Sequence, residues 1–88
     1  MSEIRRAKQL VARCAKAVER AQVRLVLADR AENDAIRRNA SERVLRSLSA
    51  RVVKLAIVYR EKVILSDEAE LELGELEDGG IDMESEEE

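Results

Sequence analysis

One cysteine, no histidine and 19 carboxylates are what this 88-residue chain brings to nucleophilic, acid–base or metal chemistry. Without histidine, neither a Ser-His-Asp nor a Cys-His arrangement can be assembled, and zinc and haem lose their usual nitrogen ligand. Cys14 alone makes no intrachain disulfide and no thiolate cluster. Between Arg13 and Lys16 it could serve as a reactive thiol, but it falls on an apolar helical stripe, where a cysteine acts as a small buried hydrophobe. The acids invite a calcium reading. An EF-hand loop needs oxygen ligands at its first, third and fifth positions, glycine at the sixth and glutamate at the twelfth, and neither Gly74 nor Gly79 stands in that frame. Gly79-Gly80 lacks the Gly-Lys-Ser/Thr sequel of a phosphate loop. The expectation is a chain that is not an enzyme, with no cofactor and no metal.

Basic side chains are the remaining chemical candidate. Arg37, Arg38, Arg43, Arg46, Arg51 and Lys54 could line a phosphate backbone. Tyr59 is the single aromatic residue, so stacking on unpaired bases is disfavoured and only a duplex or a structured RNA, read through its backbone, fits. The plainer interpretation is a solvated helix face. Charge divides sharply along the chain. Up to Val63, 16 Lys/Arg stand against 7 Asp/Glu, a net of +9; from Ile64 onward there are 12 acids and no bases. The expected organisation is therefore a basic helical hairpin at 1–65 and an acidic C-terminal segment at 66–88. Such a tail could solubilise the protein, fold back on the basic body, or mask the basic face from nucleic acid. Ser85, with three glutamates after it, matches an acid-directed kinase site, a pattern frequent by chance.

Two helices must position these groups. Ile4, Ala7, Val11, Cys14, Val18, Ala21, Leu25 and Ala28 keep an unbroken 3-4 spacing, the signature of a long amphipathic helix that Ser2 would cap. Every second member is small, which lets a facing backbone come close. The pattern fails over 29–41, where Asn33, Asp34 and Asn39 suit a turn near 31–39, and Asn39 with Glu42 fits a cap with its partner three residues on. A second helix is expected from Ser41 to about Lys62, with Leu45, Leu48, Val52, Leu55, Ala56, Tyr59 and Val63 on one stripe.

The tail reads two ways. Ser66, Asp67 and Glu68 look like a cap and acidic first turn, predicting a short third helix at 67–77 with Leu65, Ala69, Leu73 and Leu76 on its stripe, ended by Gly79-Gly80. Alternation of Leu71, Leu73, Ile81 and Met83 with acids predicts instead a C-terminal β-hairpin after the two helices. Disorder is expected from about residue 82.

Both helices carry apolar residues off their main stripes, and a two-helix hairpin has one contact face per helix. Something else must cover the excess. The expected fold is all-α: an antiparallel helical hairpin with a short third helix or acidic tail, completing a bundle by dimerisation. In architecture alone it resembles small dimeric helical hairpins that form four-helix bundles. The expected function is a non-catalytic helical interaction and oligomerisation module, binding itself or a partner helix. Its contacts would be Val23, Leu27, Val53, Ile57 and Ile64, with Leu73 and Leu76 as a second set. The alternative is a nucleic-acid-binding regulator. No stretch of about 18 apolar residues crosses a membrane, and no apolar leader is evident, which places the chain by default in the cytoplasm.

Overall fold

A computed structural model describes residues 2–87, with side chains described as far as Asp78. Two helices, α1 (Glu3–Arg37) and α2 (Glu42–Glu87), pack against each other as a hairpin, with no strand among the described residues. Helix α1 begins as its sequence suggests. Ser2 is extended, with φ −74° and ψ 150°, and its Oγ accepts from the Arg5 backbone N–H at 3.2 Å. That satisfies one of the donors left orphaned by the first helical turn.

The turn lies later than expected. α1 does not stop near residue 31 but runs to Arg37, because the small column continues one heptad further, to a buried Ala35. Glu32, the polar residue that seemed to end the seam, is half-buried there, its long stem able to lie along the apolar surface. Asn39 does not cap α2. It sits at φ 57°, the left-handed region that asparagine tolerates better than most residues. Its N–H donates to the Ile36 carbonyl at 3.1 Å, and the Ala40 N–H donates to the Ala35 carbonyl at 2.9 Å. These two bonds make a Schellman ending for α1 with asparagine in the usual glycine position. Ser41 caps α2 instead: its Oγ accepts from the Val44 N–H at 3.4 Å.

The second revision concerns the tail. The segment 67–77 is helical, but as a continuation of α2 rather than a separate third helix, so the expected end near Lys62 and the 65/66 boundary both fall inside one element. The register explains why. Leu45, Leu48, Val52, Leu55, Tyr59, Lys62, Ser66, Ala69, Leu73 and Leu76 form a single 3-4 series, and every member is buried or half-buried. Lys62 and Ser66 occupy seam positions and disguise its continuity. Ser66 is therefore a buried mid-helix residue, not a cap. The β-hairpin alternative does not occur among the described residues. A Cβ added at Gly74 would meet nothing within 4 Å, so packing does not require a glycine there. Gly79-Gly80 do not end the helix, because α2 runs on to Glu87; the expectations for Ile81, Met83, Ser85 and the disorder beyond residue 82 lie outside the residues whose side chains are described.

The core is a seam of small residues. The buried apolar side chains are Ala7, Ala21, Ala28, Ala35 and Ala69, and no large side chain among the described residues is fully enclosed. Alanine in the seam brings the helix axes toward the lower end of the usual spacing of about 8–10 Å. It also leaves little to bury. The accessible surface is 7220 Å², against about 5,200 Å² for a compact monomer of this mass. The radius of gyration is 20.0 Å, against about 12 Å for a compact chain of this length. The molecule is a rod, 68 × 17 × 13 Å.

Candidate interaction site

Three apolar surfaces stay open on the rod. The first is the outer side of α2. Ala50, Ile57, Ile64 and Leu71 recur every seven residues, and at 100° per residue they stand about 170° from the middle of the seam. Ile57, Ile64 and the adjacent Val53 are at least half exposed, and Leu71 is the most open large apolar residue, at 68%. The second is a local cluster on α1, where Val23, Val26 and Leu27 face solvent on the side away from α2.

The third is one flank of the groove between the helices. Three depressions open along it. One is lined by Glu3, Arg6, Ala7, Leu10, Glu72 and Leu76. The next is lined by Arg13, Cys14, Ala17, Lys62 and Leu65. In the third, Ala17, Arg20, Ala21 and Arg24 of α1 face Leu55, Val58 and Lys62 of α2. These linings also fix the antiparallel register: Ala7 lies level with Leu76, Cys14 with Lys62 and Leu65, and Ala21 with Leu55 and Val58. Leu10, Val44, Val58 and Leu65 are exposed along this flank. Leu65, expected on a tail stripe, is turned out onto it.

The residues named from sequence separate cleanly. Val23, Leu27, Val53, Ile57 and Ile64 are all exposed, where a partner could reach them. Leu73 and Leu76 are not on that surface; both are half-buried in the seam against α1. Leu71, the most exposed member of the outer column, falls outside the contact set that the sequence suggests, because Lys62 and Ser66 hide the continuity of α2. The seven-residue recurrence from Ala50 was the signal that could have found it.

The basic residues gather at the turn end. Arg37 and Arg38 close α1, while Arg43, Arg46, Arg51 and Lys54 lie on the first turns of α2, all exposed. Two of them make local ion pairs, Arg46 with Glu42 at 2.9 Å and Arg37 with Asp34 at 3.8 Å, both open to solvent and worth little. The acidic segment does not fold over this arc. It continues in line along α2, so that Asp67 is 13 residues, about 20 Å, beyond Lys54. There it lies beside the N-terminal part of α1, which holds Arg5, Arg6, Lys8, Arg13 and Lys16. Charge is thus complementary along the hairpin, although no ion pair between α1 and α2 closes to within 4 Å among the described residues.

Cys14 is free and half-buried in the seam, as a small packing residue should be. No group of three or more potential metal ligands occurs among the described residues, and no helix there is long and apolar enough to cross a membrane. No protein-family model, curated protein or solved structure matches the chain.

Proposed function

We propose that this chain is a non-catalytic helical interaction module, whose hairpin is a scaffold for apolar surfaces that associate with a second copy or with a partner helix. The observation that carries this reading is a surplus of apolar surface: the seam is already filled by alanines and half-buried Leu, Ile and Val, while Val53, Ile57, Ile64 and Leu71 stand open on the outside. A column of large exposed apolar side chains along one helix side is the kind of feature that interaction surfaces keep. The seam needs no such residues, since α2 contacts α1 through its other side.

Sedimentation of the full chain and of an Ile57→Glu, Ile64→Glu variant is the test. The wild type is expected to sediment above 9.9 kDa at micromolar concentration, and the variant to lose capture of an amphipathic helical peptide while keeping its helical circular dichroism. A wild type that stays a single copy and captures no amphipathic helical peptide overturns the reading. Nucleic-acid binding has less support, because the acidic segment runs away from the basic arc and so does not mask it in the manner that reading requires.

A further inference from the structure

We propose that the occupant of the groove flank is a second copy of this chain, related by a two-fold axis parallel to the helices, so that α1 of each copy lies on α2 of the other. The proposal rests on the interaction-module reading and concerns the groove flank alone; Ile57, Ile64 and Leu71 stay open on the outer side of α2 for a further partner. One edge of the flank belongs to α1 and carries Arg6, Arg13 and Arg20 at seven-residue intervals. The opposite edge belongs to α2 and carries Glu61, Glu68 and Glu75 at the same interval. Each series is spaced by about 10.5 Å. In the antiparallel register set by the depressions, the first arginine is level with the last glutamate.

A two-fold axis along the rod keeps those levels and exchanges the edges. Arg6 then meets the partner's Glu75, Arg13 the partner's Glu68 and Arg20 the partner's Glu61, and each pair occurs twice by symmetry. Glu72 of the floor also lies between the levels of the partner's Arg6 and Arg13. Leu10, Val58 and Leu65, exposed in a single copy, fill the space between. Turning the second copy end over end instead lays α1 on α1 and sets Arg20 against Arg20. The opposite flank offers fewer large exposed residues, Val26, Ile36 and Val53, and one opposed rim pair, Glu19 with Arg60.

The area suffices. α1 is 35 residues long, about 52 Å, and the rod is 17 Å wide. The outline of such a face is roughly 880 Å² per copy, close to the ~800 Å² per partner of stable protein interfaces.

Two charge-reversed chains test this arrangement. One carries Arg6→Glu, Arg13→Glu and Arg20→Glu, giving two acidic rims; the other carries Glu61→Arg, Glu68→Arg and Glu75→Arg, giving two basic rims. Each alone is expected to dissociate, with self-affinity lowered on the order of 100-fold at low salt. Mixed in equal amounts they are expected to restore a particle of about twice 9.9 kDa, because every rim pair is opposite in sign again. Either variant retaining wild-type assembly overturns the proposal, and so does a mixture that stays dissociated while both chains are helical. A monomeric wild type ends the interaction-module reading too, whereas an assembled wild type indifferent to rim reversal ends this arrangement only.

Discussion

Cutting the chain after Leu65 is expected to unravel the N-terminal half of α1, although the cut removes none of its residues. The acidic segment is a structural partner of that half. Ala7 shares a depression with Glu72 and Leu76, and the buried Ser66 and Ala69 face the stretch between Ala7 and Cys14. Truncation leaves Ile4, Ala7 and Val11 with nothing opposite them. Two half-buried leucines and a buried alanine together contribute about 3–5 kcal/mol by transfer and cavity costs. The whole domain has only about 4–13 kcal/mol to lose, at ordinary stability per residue. Native-state hydrogen exchange on a 1–65 fragment checks this. Amides of α1 before about residue 17 should exchange as in an unfolded chain, while those between Ala21 and Ala35 keep some protection. Full protection across Glu3–Ala17 would mean that the segment is the independent tail its composition suggests.

Ala21→Leu with Ala28→Leu carries the second large effect. Both sites are buried in the middle of the seam, at 6% and 7% exposure. A leucine at either one adds three carbons to a buried seam position. Overpacking costs about 1–3 kcal/mol per site, so the pair should lower the stability in urea by about 2–6 kcal/mol. Val23→Leu, on the open side of α1, should move stability by less than about 0.5 kcal/mol, as surface changes usually do. Equal effects at the two kinds of site would contradict an alanine seam. An increase in stability at Ala21 and Ala28 would mean that the helices are spaced widely enough to take leucine.

The hairpin was legible because its two stripes are long and periodic. Ile4 to Ala28 and Leu45 to Tyr59 each fix a helix and its inner side. What misled was polarity at seam positions. Glu32 and the Asn-Asp pair after it read as the end of α1, yet a helix tolerates one glutamate at the edge of a seam when its stem can lie along the groove. Lys62 and Ser66 hid the continuity of α2 in the same way, and Ser66 before two acids imitates a cap. Asn39 and Ser41 are two residues apart, and only the φ of 57° at Asn39 separates a helix end from a helix start. The surplus apolar residues of the outer faces were legible as types and angles, since Val23, Leu27, Val53, Ile57 and Ile64 all come out exposed. The flank with Leu10, Val58 and Leu65 was not, because it exists only once α1 and α2 are set in register.

The central claim is that the groove flank of this rod, with Leu10, Val58 and Leu65, is covered by another copy lying alongside it. Small-angle X-ray scattering over a micromolar concentration series reads this directly. The expected result is a particle of about twice 9.9 kDa whose longest dimension stays near 68 Å while its cross-section grows. A mass of 9.9 kDa with a radius of gyration of 20.0 Å at every concentration would contradict it.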